Sequence, residues 1–224
     1  MKLVEPSLSE QTYETLREAI LTGRIPGDTL WSDREIAARM QFSRTPIRDA
    51  VQRLAAEGLV EVIPRRGTRV LPLRTEDVRE IHQIARALEL EAATIIARLP
   101  ERDLSAIEAA VIGMEEAIAR ADREEWVVAD AAFHHAVVHG CGNGRLARLY
   151  DAQRSLTDRA RYFALYLREL PVRSAEEHRE MLNAIKVCDA TRLATLYREH
   201  WDRTTKELLE LVERHGTTVP VKAQ

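Results

Sequence analysis

Three histidines and one aspartate stand on the apolar sides of helical patterns. Asp130 and His134 are four residues apart, on a face shared with Trp126, Phe133 and Val137. His178 falls on the stripe Met181/Leu182/Ile185, and His200 on the stripe Leu193/Leu196/Tyr197/Thr204. Each of three helices therefore turns an imidazole or a carboxylate inward. Burying such groups unpaired is costly, and a shared cation offsets the cost. One carboxylate with three imidazoles suits a divalent metal such as zinc, nickel or manganese. The plainer alternative is a core in which each imidazole finds ordinary hydrogen-bond partners. A second pair, His135 and His139, has the same four-residue spacing and faces elsewhere. Spacing alone does not choose between the two pairs.

A second set of residues is cationic. Thr45, Arg48 and Gln52 share a helical face opposite the stripe Ile47/Ala50/Leu54, and Arg44 stands one turn before Arg48. An arginine at the start of a recognition helix can reach guanine O6 and N7 with two hydrogen bonds. Arg34, in the first turn of the preceding helix, can add a phosphate or base contact. Arg65 and Arg66 lie beside Gly67 in the turn Pro64-Arg-Arg-Gly67, placed to enter a minor groove or grip phosphate. Any one of these could be a solvated arginine on a charged surface. The ordered set of turn, cap, arginine pair and hairpin argues instead for nucleic acid.

The elements that must position these residues are mostly helices. Of 224 residues, 45% are hydrophobic, 31% charged and only 5% aromatic, a composition expected of one or two globular, mainly α domains. Residues 1–74 hold 12 Lys/Arg against 10 Asp/Glu, whereas the other 150 hold 21 against 26, and the eight basic residues within 34–69 are all Arg. The net charge of -3 thus hides a basic patch on an acidic chain. Ser32-Asp-Arg-Glu35 reads as a capping box opening one helix. Ser43 is expected to cap the next, with Pro46 in its first turn and Gly58 at its end. Leu59–Ile63 and Thr68–Leu71 read as a hairpin, the wing of a winged helix-turn-helix spanning 1–72. From 73 to 216 six helices are expected, over 76–98, 101–120, 123–139, 144–168, 174–187 and 190–214, as a bundle. The tail 217–224 is expected to be loose. Met1 to Glu10 carry no apolar run and no segment approaches ~20 apolar residues. Cys141 and Cys188 read as small buried thiols of a cytoplasmic protein without a membrane partner.

Ser32-Asp-Arg-Glu-Ile-Ala-Ala-Arg-Met40, Ser43-Arg-Thr-Pro-Ile-Arg-Asp-Ala50 and Leu54-Ala-Ala-Glu-Gly-Leu-Val60 closely resemble the DNA-binding domain of GntR-family bacterial transcription regulators. Leu21–Leu30 and Arg66-Gly-Thr68 match as well, so the likeness covers about residues 8–71. It implies DNA contacts at Arg34, Arg44, Thr45, Arg48 and Gly67, with Arg66 beside them at the wing tip. Met40-Gln-Phe42 departs from it, standing where the family carries a glycine in the turn. Asp130-Ala-Ala-Phe-His134, Gly142-Asn143, Glu177-His178-Arg179 and Glu199-His200 resemble the FCD ligand-binding domain of the FadR-type branch, in its shorter, VanR-like variant. That resemblance selects Asp130, His134, His178 and His200 as the metal ligands. It also implies effector contacts at Arg86 and Asn143, although Arg86 could simply pair with Glu89 three residues on.

The expected function is a homodimeric repressor. Its winged helices bind a two-fold operator, and its helical domain dimerises and senses a small carboxylate or sugar acid at a metal centre. A structural metal or a metal-free pocket is the alternative. A helical-bundle metalloenzyme is a weaker one, because no glutamate stands three residues before any of the seven histidines, as di-iron bundles require.

Overall fold

The computed structural model describes residues 7–165 and 167–215, so the 217–224 tail lies outside the described residues. The chain divides after Arg74 into a first unit and a second, Thr75–Arg214. No described helix is long and apolar enough to cross a membrane.

The first unit orders α1 (Leu8–Leu21), β1 (Leu30–Trp31), α2 (Asp33–Met40), α3 (Arg44–Ala56), β2 (Val60–Ile63) and β3 (Gly67–Val70). Helix α1 starts where Ser7 accepts from the Glu10 amide, and it packs Leu16, Ala19 and Ile20 toward α3. The Tyr13 hydroxyl donates to Glu57 Oε1 at 2.7 Å, and the Arg53 guanidinium lies 3.6 Å over the Tyr13 ring. The capping box of α2 is complete: Ser32 Oγ accepts from the Glu35 amide at 3.2 Å, and Glu35 Oε2 from the Ser32 amide at 2.7 Å. After α2 the backbone turns through Gln41 at φ 59. The left-handed turn is thus kept without a glycine, at a cost of about 1 kcal/mol.

Ser43 departs from expectation. It occupies the cap position of α3 in extended conformation, but its hydroxyl makes no capping hydrogen bond. Pro46 sits three residues on, so the amide that such a cap most often holds does not exist.

The wing is a three-stranded antiparallel sheet in the order β1-β3-β2. Strands β2 and β3 pair Val60 with Val70 and Ile63 with Gly67. Strand β1 is two residues long and was not read from the sequence; only its pairing with β3, Leu30 to Arg69 and Trp31 to Thr68, makes it a strand. At the tip the Arg66 amide donates to the Ile63 carbonyl at 3.0 Å, with Arg65 left-handed at φ 63. Gly67 follows at φ +124, and a Cβ there would stand 2.4 Å from the Trp31 carbonyl oxygen.

The second unit contains α4 (Thr75–Arg98), α5 (Ser105–Ala119), α6 (Arg123–Gly140), α7 (Gly144–Asp151), α8 (Arg154–Leu165), α9 (Val172–Lys186) and α10 (Ala190–His215), the last ending just past the unit boundary. That makes seven described helices rather than six, because the expected 144–168 helix breaks at Ala152-Gln153. There the hydrogen bonds tighten to three-residue spacing, Gln153 to Tyr150 and Leu156 to Gln153. Neither proline nor glycine marks the break. Phe133, Val137, Met181, Leu182, Ile185 and Tyr197 are central to the core. Cys141 is buried as expected, but Cys188 is exposed, left-handed at φ 57, and accepts from Arg102 at 3.4 Å.

Gly67→Ala should lower the stability of the first unit by about 1–3 kcal/mol in urea unfolding, since both its φ and its contact with Trp31 oppose a side chain. An unchanged midpoint would mean that the wing tip relaxes away from β1.

Candidate nucleic-acid interface and candidate metal centre

Helix α3 buries Ile47, Ala50, Val51 and Leu54, which leaves Arg44, Thr45, Arg48 and Gln52 exposed on the other side. Arg34 in the first turn of α2 and Arg66 at the wing tip are exposed too, and Gly67 is half-buried. Arg48 Nε lies 3.5 Å from Asp33 Oδ2, an open contact that holds the guanidinium only weakly. Five of the six expected DNA-facing residues are thus exposed side chains. Gly67 has a separate structural reason to be glycine, its close approach to Trp31.

Asp130, His134, His178 and His200 are all buried, carried by α6, α9 and α10. His134, His178 and His200 each bring a ring nitrogen within 4.8 Å of the other two. His134 Nδ1 faces Glu89 Oε2 of α4 at 2.7 Å, and His200 Nδ1 faces Glu177 Oε2 at 2.7 Å. With Nδ1 of both rings engaged by a carboxyl group, Nε2 is the nitrogen left to face the trio. His178 differs: neither of its ring nitrogens has a hydrogen-bond partner among the described residues, although its side chain is completely buried. Asp130 stands beside the trio, with Oδ1 3.8 Å from His178 Nδ1 and Oδ2 3.8 Å from His134 Nε2. Its Oδ2 also accepts from Arg161 Nε at 2.8 Å. Burial pushes the Asp130 carboxyl up, but His134 and Arg161 outweigh it and hold it well below the carboxylate range. The set fits a divalent cation: two imidazoles turned by carboxylates to present Nε2, a third whose nitrogens nothing else satisfies, and an ionised carboxylate alongside.

A cavity of about 50 Å³ opens beside the trio, lined by His82, Asp130, His134, Arg161, His200 and Trp201 among others. It has room for a few water-sized groups and no more. Arg161 is the guanidinium beside Asp130 there, and it also donates to Asp158 at 3.1 Å. Neither expected effector residue lies on this cavity. Arg86 pairs with Asp202 at 2.9 Å on an outward groove, and its plainer partner Glu89 is buried on His134 instead. Asn143 is exposed and spends its side-chain oxygen capping α7, accepting from the Arg145 and Leu146 amides at 3.2 Å each. The sequence does not assign Glu89, Glu177 and Arg161 to the partners they meet here, His134, His200 and Asp130. Glu89 and Glu177 lie on inward stripes, but only the folded helices show which histidine each one meets.

Residues 8–70 match the gntR family of bacterial regulatory proteins, and residues 80–203 match the FCD domain. The chain is 30% identical over 226 residues to an HTH-type transcriptional regulator in an unstable DNA locus of Streptomyces ambofaciens, covering 94% of this chain and 92% of that one. It is 29% identical to a probable D-xylose utilization operon transcriptional repressor of Paenarthrobacter nicotinovorans, covering 84% and 83%. Among solved structures it is similar to a transcriptional regulator from Rhodococcus sp. RHA1, with a TM-score of 0.74 at 22% identity over 92% of this chain and 99% of that one.

The buried imidazoles dictate a pH dependence. Burial, helped by the charges of Arg161, His200 and His134, holds His82 down to about 3; burial also pushes His178 well below its ordinary value and lowers His200. The folded unit keeps these rings neutral while the unfolded chain takes up protons near pH 6.5. Stability of the second unit should therefore be full above about pH 6.5 and fall as pH drops toward 3, by up to ~1.4 kcal/mol per pH unit for each histidine. Burial raises the Glu177 carboxyl, but His200 and Arg203 pull it down to about 2, so a further loss sets in below its ordinary 4.5. Urea unfolding followed by circular dichroism between about pH 7 and pH 4 checks this, and a flat profile would contradict it.

Proposed function

Because the chain belongs to the gntR family of bacterial regulatory proteins, with its winged helix-turn-helix ahead of an FCD domain, we propose that it is a homodimeric repressor released from its operator by a small carboxylate bound at a divalent metal centre. It is a DNA-binding transcription regulator and not an enzyme. Its site of work is the cytoplasm, where its operator lies. The observation that carries the sensing half is His178, fully buried with both nitrogens unmatched among His134, His200 and Asp130.

In this reading Arg44, Thr45 and Arg48 enter a major groove from α3. Arg34 and Arg66 meet phosphate or the neighbouring groove, and Gly67 lets the backbone come close. A two-fold dimer presents two such heads to two half-sites. In the second unit His134, His178, His200 and Asp130 would hold zinc, nickel or manganese, and a cation so held supplies an open position for a carboxylate oxygen. Arg161, rather than Arg86, is placed to take the remaining carboxylate oxygen, giving up part of its hold on Asp130. The small cavity favours compact acids, and a sugar acid requires it to widen. The effector can weaken operator binding only by its unequal affinity for the DNA-competent and DNA-incompetent arrangements. The name of the Paenarthrobacter relative supports repression.

Arg48→Ala should cost operator binding about 1–3 kcal/mol and relax specificity at one base position, read by gel shift against a panel of operator variants. Unchanged affinity would remove Arg48 from the interface. Elemental mass spectrometry of dialysed, untagged protein should find about one equivalent of a divalent metal per chain, lost in Asp130→Ala/His178→Ala. No metal after reloading with zinc, nickel or manganese would leave a metal-free pocket, in which the Asp130–Arg161 pair itself meets the effector.

A further inference from the structure

The pair His135 and His139, which spacing could not rank against the buried set, does not idle on the surface. Both lie on the exposed side of α6, four residues apart, and their rings stack at 3.9 Å with an interplanar angle of 15°. Helix α7 brings a carboxylate to them: Asp151 Oδ1 lies 2.9 Å from His139 Nε2. His135, His139 and Asp151 each offer a ligand atom within 4.8 Å of the other two. The fold holds this arrangement in place. Gly142 turns left-handed at φ 72 and Asn143 caps α7, so the chain reverses within three residues and returns along α6 with Asp151 at the last turn. The nearby cation, Arg154, is drawn to Asp158 at 3.6 Å.

We infer that His135, His139 and Asp151 form a second divalent-metal site, distinct from the buried centre, that clamps α7 to α6 at the surface. Two imidazoles and one carboxylate with the remaining positions open to water suit zinc or another first-row divalent ion of similar softness. The side chains are exposed, 38% for His139 and 42% for Asp151, so small rotamer changes can bring the three atoms to bonding distance. The same exposure makes the ion exchangeable. A metal bound only to the folded chain stabilises it in proportion to the logarithm of free metal. The second unit then tightens as zinc rises, on the same helix that carries Asp130 and His134.

The test is zinc titrated into dialysed, intact protein while the histidine ring signals are followed by NMR. The His135 and His139 signals should move together and saturate at one equivalent beyond whatever metal the chain retains through dialysis. Asp151→Asn, nearly isosteric and exposed, should weaken this uptake by more than the roughly 10–100-fold that outer partners of a metal ligand contribute. His139→Ala should abolish it. Both variants should keep the retained metal and the wild-type circular dichroism spectrum, so loss here is distinguishable from failure of the buried centre. Signals of His135 and His139 that stay still below millimolar zinc, or variants that take up zinc like wild type, would overturn the site.

Discussion

A completely buried imidazole, His178, with neither nitrogen hydrogen-bonded among the described residues is costly, and the polar groups of the second unit gather around it. Five helices converge on it. α4 contributes Glu89, α6 contributes Asp130 and His134, α8 contributes Asp158 and Arg161, α9 contributes Glu177 along with His178 itself, and α10 contributes His200 and Arg203. Each polar group is tolerated because a neighbour hydrogen-bonds or pairs with it: Glu89 with His134, Asp130 with Arg161 and Arg161 with Asp158, Glu177 with His200 and Arg203. Such a network is strong when complete and expensive when one member is missing. His178 is the member without a partner, and a bound cation is the simplest way to supply one.

The first unit follows the opposite rule. It leaves the arginines of α3 and the wing tip in water and shapes its turns with local contacts: the Ser32–Glu35 box sets the start of α2, Gln41 makes the turn, and Gly67 lets β3 approach Trp31. Exposed arginines contribute little to folding, so the face of α3 can be tuned for a partner without unsettling the core of Ile47, Ala50 and Leu54. The buried centre has no such freedom, because altering one ligand strands the group it balances.

Ligand selection follows from the same contrast. A cavity of about 50 Å³ beside an ion-paired guanidinium admits little apolar bulk. In the proposed reading it would exchange one carboxylate for another at Arg161 beside a cation, and neutral analogues, which cannot compete with Asp130 for the guanidinium, would bind weakly.

Much of this was legible in residue types and spacing. The capping box, the inward stripes of α1 and α3, the exposed arginines of α3, and the inward turn of Asp130, His134, His178 and His200 are local properties, set by periods of 3.6 residues and by single turn positions. What the chain alone could not decide were matters of distance between elements. Strand β1 exists only as the partner of β3, and the break between α7 and α8 has no proline or glycine to announce it. The resemblance implies effector contacts at Arg86 and Asn143; that Arg86 meets Asp202, that Asn143 caps α7 and that Arg161 lines the cavity are contacts only the fold shows. Glu89 and Glu177 became partners of His134 and His200 only when α4 met α6 and α9 met α10. Helical periodicity says which side of a helix a residue occupies; which residue on another helix stands opposite depends on rotation and sliding of packed helices, and those are determined by the core as a whole.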